Sequence, residues 1–458
     1  MKPTLVVQCK ELPWRTFILL SILFLAASRF DLFYSINGPP VITGLAEDRA
    51  DDVLKTAALL GLVLWSIHSL WKHRYFSFRI QWARAALFSL YGVWCVLSLC
   101  WTGEASLTIG KLLVLLITTL VAVALAGRFS LREISILVFF SSALSNLIGL
   151  GAEIALGTFR PWDAMYRFSG LWHPNTHGLS LSLLVLSGLA LWRSETRGKA
   201  WIAGITSLGF VLLLLTRSRT SVASTILIAA FTYLLLAQRK QRWACLLGLA
   251  IAAGIAAFIT ANGVASLPFD SVLLGRQDTE ASTLTNRIPL WKDCLPYIAQ
   301  HPWTGYGYGG FWTPTRITTI TAPEETAWNP EMIKYVPDGS FLPDAHSLYI
   351  ETTLGTGLIG TFLLTGGLLI SIYILGFQTL RTGSIGSGYA FAVLTWLCLA
   401  AALEALTPQP CLPLLIGPLL LAKTAFIGDR LDRKRMPASV KTSFKTSDSL
   451  SAPEAVHV

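Results

Sequence analysis

The sequence predicts an all-α, polytopic membrane protein with about 12 spanning helices. Composition is the first reason. Of the 458 residues, 53% are hydrophobic and 14% are charged, and the mean hydropathy is +0.57. Soluble domains carry about 25% charged residues, so no soluble fold could shield this much apolar surface from water. The spacing of the apolar segments and the placement of the basic residues are the other two reasons.

The apolar segments divide the chain into spans. Lipid offers exposed backbone groups no hydrogen-bond partner, so each span needs about 20 mostly apolar residues in a helix. Twelve such segments begin near Thr16, Val53, Ala83, Leu107, Ile134, Thr176, Trp201, Thr220, Trp243, Ser347, Ser384 and Cys411. The predicted organisation is nine membrane helices in 1–261, a long loop in 262–345, three membrane helices in 346–428 and a disordered basic tail in 429–458.

The basic residues predict the orientation. Most of the 36 Lys and Arg residues fall in alternate connections and in the tail. Cytoplasmic loops of membrane proteins are enriched in these residues, so both termini are expected in the cytoplasm and the 262–345 loop on the outer face. The net charge of +10 therefore reflects topology and a tail lying near anionic lipid, and no nucleic-acid partner is predicted.

Three arginines are predicted on the outer face, against the usual charge asymmetry. Arg217 and Arg219 lie in TRSRTS, at a tight hairpin, and Arg287 begins an amphipathic helix predicted over Asn286–Gln300. Guanidinium groups match phosphate oxygens in pairs, and helix N-termini favour anions, so an anion-binding role is one interpretation. The alternatives are arginines that reach lipid phosphate and, for Arg287, a solvated loop residue.

A glycine-rich aromatic segment follows that helix. This segment is HPWTGYGYGGFW, residues 301–312. Its glycines allow a ligand to approach the backbone closely, and its aromatic rings have apolar faces and polar tips. Sugars have an apolar face and hydroxyl edges, so Trp303, Tyr306, Tyr308 and Trp312 are candidates for sugar binding. The alternative is a turn that packs on the bilayer surface.

A histidine is predicted at the mouth of the tenth span. His346 follows Asp344, a possible helix cap, and the positive end of the helix should keep the imidazole neutral. A neutral imidazole can act as a general base on a hydroxyl, although a structural histidine is an equal alternative. Further candidates lie in RFSGLWHPNTHG, namely Arg167, His173, Asn175 and His177.

Several functions lack sequence support. GTGLIG, residues 355–360, has the spelling of a dinucleotide motif but lies in a predicted span. No P-loop, H-E-x-x-H, C-x-x-C or D-x-D motif occurs, so neither a metal nor a cofactor is predicted. A transporter is the main rival, but the two halves show no repeat and few ionisable groups lie mid-span. A non-catalytic scaffold is disfavoured by the Arg and His residues concentrated on one face.

Four segments in this order resemble the O-antigen ligase/polymerase family of bacterial membrane proteins. They are RFSGLWHPNTHG, TRSRTS, the pair NRIPLW and HPWTGYGYGGFW, and DAHSLYIETTLGTGLIG. The resemblance covers about Tyr166–Phe362, and LTNRIPLW with GYGYGGFW is most similar to the exopolysaccharide-polymerase branch. Ser347 departs from the asparagine that often follows the family's histidine, which leaves an acceptor-orienting role at that position in doubt.

The resemblance implies a fold and a reaction. The fold would be a helical bundle related to the GT-C type glycosyltransferases that use lipid carriers. The enzyme would act on the outer face of the inner membrane, joining a glycan from undecaprenyl diphosphate to a glycan, to lipid A–core or to a protein. It implies Arg219 and Arg287 as the functional arginines, Arg217 as an ambiguous neighbour and His346 as the histidine. Since the leaving group is a diphosphate, the arginines would stabilise it, His346 would be the base, and the configuration would invert.

Overall fold

The protein is helical throughout the part of the chain that its computed structural model describes. That part comprises residues 13–28, 46–72, 82–163, 166–172, 174–195, 198–236, 287–313, 344–406 and 412–426, with residues 316 and 320. No strand occurs in these ranges. The helices are α1 (Trp14–Ala26), α2 (Ala46–Lys72), α3 (Trp82–Leu97), α4 (Ala105–Arg128), α5 (Leu131–Ala155), α6 (Pro174–Ser194), α7 (Lys199–Leu215), α8 (Arg219–Leu236), α9 (Arg287–Gln300), α10 (Leu348–Thr382), α11 (Ile385–Ala400) and α12 (Leu412–Phe426).

The helices match the predicted segments, but fewer than 12 of the described helices are long enough to count as membrane spans. A helix begins within two turns of each predicted start except the one near Trp243, which lies outside the described residues, as does the 429–458 tail. Within the described ranges, α2, α4, α5, α8 and α10 are long and apolar enough to cross a membrane. The all-helical membrane class is thus supported, whereas the count of 12 spans is not confirmed.

The bundle is organised around buried helices. Helix α6 packs against α5 and α7, α11 packs against α8 and α10, and α12 packs against α4. Trp396 of α11 is fully buried in the main hydrophobic core. Large apolar side chains such as Leu64, Phe362 and Tyr373 are instead 67–73% exposed on the outside of the bundle. Exposed apolar side chains around a buried core are what a lipid-facing surface requires.

Helix α10 is broken at Gly357, where the backbone has a φ of 68° and a ψ of −173°. The glycine-rich segment 301–312 docks into this break. The Tyr306 amide donates to the Leu354 carbonyl at 2.9 Å, and the Leu358 amide donates to the Pro302 carbonyl at 2.8 Å. Backbone groups freed inside a membrane helix need protein partners, and the docked segment supplies them.

A small second core joins α9, the glycine-rich segment and the start of α10. Its buried members are Cys294, Phe311, Trp312, Ile320, Ala345 and Leu354. The amphipathic helix predicted over 286–300 is confirmed as α9, with Pro296 inside it. Because these three segments share one core, the start of α9 and the start of α10 are fixed with respect to each other.

Candidate functional site

The loop after α5 is held by a buried carboxylate. Glu153 accepts hydrogen bonds from the Ser169 amide at 2.8 Å, the Gly170 amide at 2.7 Å and the Tyr166 hydroxyl. A carboxylate that accepts several hydrogen bonds fixes the backbone that donates them. Arg167, which the sequence singled out, lies inside this fixed loop.

Arg167 joins the first two sequence motifs. Its Nε atom donates to the Thr216 carbonyl at 3.0 Å, and its Nη2 atom donates to Asn175 Oδ1 at 3.0 Å. Close packing supports the same junction, since a Cβ on Gly178 would lie 2.9 Å from Ser221 Oγ. The predicted residues Arg167 and Asn175 therefore position the α7–α8 hairpin.

The hairpin presents two arginines in unusual surroundings. Arg217 has a φ of 51°, a region that costs a non-glycine residue about 1–2 kcal/mol. Arg219 begins α8, and its Nε atom is buried without a hydrogen-bond partner in the described part of the chain. A buried guanidinium nitrogen needs an acceptor, and an anionic ligand would supply one. The hairpin geometry is therefore compatible with anion binding.

A pair of variants separates strain from function at Arg217. Arg217→Gly relieves the positive φ, whereas Arg217→Ala keeps it, and both remove the guanidinium. We expect the glycine variant to be more stable than the alanine variant by about 1 kcal/mol, and so to unfold at a higher temperature. Both variants should lose transfer activity about 100-fold. Thermal unfolding and an in vitro transfer assay check this. Wild-type activity in the glycine variant would remove Arg217 from the site.

His346 and Asp344 form a dyad just before α10. His346 also has a positive φ, of 47°. One Asp344 oxygen, Oδ1, accepts the His346 amide at 2.7 Å and lies 3.2 Å from His346 Nδ1. Asp344 thus holds the imidazole with Nδ1–H towards the carboxylate, which leaves Nε2 as the acceptor. The N-cap of α10 is Ser347. The sequence had suggested Asp344 for this position.

Partial burial has the largest effect on the pKa of the His346 imidazole, although the side chain is 37% exposed. Burial lowers the pKa of His346 below its usual value, nearby Asp344 raises it, and Arg287 lowers it. The sequence had assigned this effect to the end of the helix. With a depressed pKa, the base form is present at neutral pH and is lost only as the pH falls through that lowered pKa.

The pH profile of Asp344→Asn tests the dyad. Asparagine keeps an oxygen where the His346 amide points, but it removes the negative charge that raises the pKa of His346. We expect the acid limb of the transfer rate to move to lower pH, with the fold unchanged. Asp344→Ala, which also removes the acceptor, should lower the plateau rate in addition. An acid limb that moves to higher pH, or stays in place, would contradict the assignment.

Arg287 forms an ion pair that was not expected from the sequence. Its Nη2 atom lies 2.8 Å from Glu404 Oε1, with the two side chains 13% and 12% exposed. Glu404 lies between α11 and α12, and its carbonyl accepts the Leu348 amide at the start of α10. Burial raises the pKa of Glu404 to about 7, although Arg287 lowers it, and the charges of Asp344 and Arg167 also act on it. Glu404 therefore links Arg287, at the start of α9, to the start of α10.

The four predicted sugar-binding aromatics are in different surroundings. Trp303 is 64% exposed, so its ring is available to a ligand. Tyr306 donates to Gln300 Oε1 at 3.0 Å and lies under the Arg316 guanidinium. Trp312 is buried and donates to Glu351, so it cannot stack on a sugar in this conformation.

Tyr308 completes this group. Its amide donates to Ser98 Oγ at 2.9 Å, and burial raises the pKa of its hydroxyl. Gly305 serves the docking into α10, since a Cβ there would lie 2.6 Å from the Leu354 carbonyl oxygen, whereas Gly307 and Gly309 approach Thr102 and Lys111. Among the four candidates, Trp303 alone combines large exposure with a position beside the α10 break.

Residues 204–365 match the model of the O-antigen ligase family. This region of the chain therefore carries an O-antigen ligase domain. No curated protein gives a significant match to the chain.

The O-antigen ligase domain contains much of the candidate site. The α7–α8 hairpin, Arg287 and the His346 dyad lie within it, and the fold brings Arg167 and Glu404 to it from outside. His173 lies outside the described residues. His177 is fully buried between Phe168 and Trp172, which indicates a structural residue.

Three acidic residues of the site carry roles that sequence reasoning missed. Asp344 was considered only as a cap, whereas Glu351 and Glu404 were not considered. Glu351 accepts both Trp312 Nε1 at 3.0 Å and the Ala345 amide at 3.1 Å, and so joins the glycine-rich segment to the His346 backbone. A carboxylate inside or beside an apolar segment was the available signal. Within the described ranges no group of three His, Cys, Asp or Glu residues forms a metal site, and independence from metal stays a prediction.

Proposed function

We propose that the chain is an inverting glycosyltransferase that uses an undecaprenyl-diphosphate-linked glycan as donor. It would act on the periplasmic face of the bacterial inner membrane, with 12 spans and both termini in the cytoplasm. Its role would be polymerisation or transfer in exopolysaccharide or O-antigen biosynthesis. The observation that carries the proposal is the His346–Asp344 dyad beside Arg287 in an O-antigen ligase domain of a membrane protein.

The proposed reaction assigns a role to each group. His346 Nε2 takes the proton of the acceptor hydroxyl while that oxygen attacks the anomeric carbon, and Asp344 holds the imidazole in place. The bond from the anomeric carbon to the diphosphate breaks, and its electrons remain on the diphosphate. Arg219 and Arg287, with Arg217 in support, stabilise that developing charge. Displacement from the opposite face inverts the anomeric configuration.

The acceptor distinguishes two forms of the proposal. A polymerase would use a growing glycan, and Trp303 would present an exposed ring to it. A ligase would use lipid A–core, and the family description favours this second candidate. A transporter loses support, because the match is to an enzyme family.

Deletion of the coding sequence tests the function. We expect a polymerase deletion to leave single repeats and no long surface polymer. A ligase deletion should accumulate lipid-linked polymer and leave lipid A–core unmodified. Complementation with the wild-type chain is the control, and an unchanged surface glycan in the deletion strain would overturn the proposal.

A further inference from the structure

Glu404 forms an ion pair with Arg287, the arginine that would bind the diphosphate of the donor. Among the described residues, the hydrogen bond from the Arg287 guanidinium goes to one oxygen of Glu404, through Nη2 alone. Both side chains are nearly buried, so each charge depends on the other for compensation. A donor diphosphate therefore meets a guanidinium that already has a partner.

The surroundings hold the backbone of Glu404 and not its carboxylate. Its carbonyl accepts the amides of Leu348 and Leu406, at 3.1 and 3.0 Å. Among the described residues, its side chain accepts a single hydrogen bond, from Arg287. The carboxylate can therefore rotate away while the backbone junction between α10 and α11 stays intact.

A diphosphate is the stronger partner for the guanidinium. It carries more negative charge than a carboxylate, and its oxygens accept two parallel hydrogen bonds from an arginine. Arg167 also acts electrostatically on Glu404, and is the second cation towards which the displaced carboxylate would turn. The exchange therefore gives the arginine a stronger anionic partner, and the field of Arg167 still acts on the glutamate.

We propose that Glu404 is an internal counter-ion that holds Arg287 until the diphosphate of the donor displaces it. This inference rests on the proposed function, since it takes Arg287 as a diphosphate ligand. The recognised chemistry is a diphosphate anion, whichever lipid or glycan it carries. Glu404 would thus make donor binding a competition between two anions, which selects against ligands with a single weak charge.

Binding of inorganic pyrophosphate to the purified, full-length protein in detergent tests the exchange. Glu404→Gln removes the competing charge, so we expect pyrophosphate to bind about tenfold more tightly than to wild type. The gain should vanish in the double variant Arg287→Ala/Glu404→Gln, because it depends on the freed arginine. Calorimetric titration measures all three affinities.

A second ion pair provides the matched control. Arg132 and Glu195 also form a hydrogen-bonded pair, elsewhere in the bundle, so Glu195→Gln should leave pyrophosphate affinity unchanged. If Glu404→Gln fails to fold, Glu404→Asp keeps the charge but shortens the side chain, and should bind pyrophosphate more tightly than wild type by a smaller factor.

The opposite result distinguishes the alternatives. If Glu404 only orients Arg287, its neutralisation should weaken pyrophosphate binding, and equal or weaker binding overturns the exchange. Absence of binding in wild type and variant alike overturns it too. Either outcome leaves the proposed glycosyl transfer standing, because that depends on the glycan phenotype of the deletion strain.

Discussion

Replacing His346 with asparagine is expected to abolish glycan transfer while the protein stays folded. Asparagine tolerates a positive φ better than most residues, so the backbone at 47° is preserved. It has no group that can take a proton near neutral pH, and loss of a general base costs about 10²- to 10⁴-fold in rate. Transfer from a purified lipid-linked donor measures the rate, and the melting temperature reports the fold.

The same exchange at another histidine is the control. His68 is exposed on α2, away from the site, and His68→Asn should transfer glycan at the wild-type rate. His346→Ala lacks the tolerance for a positive φ, so comparison with His346→Asn shows how much of any loss comes from the backbone. A wild-type transfer rate in His346→Asn, with normal stability, would exclude His346 as the base.

The sequence predicted those features that depend on residues close together along the chain. Hydropathy and charge predicted a helical membrane protein, and the period of apolar residues predicted α9 within one residue of its start. Arg287 was selected because it begins an amphipathic helix, where anions are favoured, and His346 because a neutral imidazole at the mouth of a span can act as a base. In the structure, the charge of Arg287 acts on His346, and the charge of Arg167 acts on Glu404, the partner of Arg287.

The rest depended on contacts between distant parts of the chain. The Arg287–Glu404 pair joins residues 117 positions apart, and no local pattern marks Glu404 as a partner. The burial of Trp312 depends on Glu351, which reads in sequence as an isolated charge in a span. The glycines of 301–312 suggested contact with a ligand. Gly305 instead lies against α10, and Gly307 and Gly309 lie against Thr102 and Lys111, because only the fold decides which surface lies opposite a glycine.

Replacing Gly357 with alanine is expected to have the largest effect on stability. A Cβ at this position would lie 2.2 Å from the Trp303 carbonyl and 2.5 Å from the Thr304 amide nitrogen. These are backbone atoms of the docked segment, so no side chain can rotate away. The positive φ and the clash together should cost about 2–5 kcal/mol. Thermal unfolding in detergent, with the yield of folded protein, measures the loss.

A second glycine of the same helix makes the test specific. A Cβ on Gly366 would meet only Leu87 Cδ1, at 3.6 Å, an ordinary contact. Gly366→Ala should therefore leave stability unchanged or raise it by about 0.5–1 kcal/mol, because alanine favours a helix interior. Equal stability of Gly357→Ala and Gly366→Ala would show that the break in α10 is not required.

The expected loss at Gly357 also links stability to the site. The break allows Leu354 and Leu358 to bond the 301–312 segment, which carries the exposed ring of Trp303. The part of α10 before the break carries Glu351, whose carboxylate holds the Ala345 amide beside His346. If Gly357→Ala closes the break, the docked segment must detach, and both groups lose their positions. Transfer activity should therefore fall in whatever folded fraction of Gly357→Ala remains, whereas Gly366→Ala should retain it.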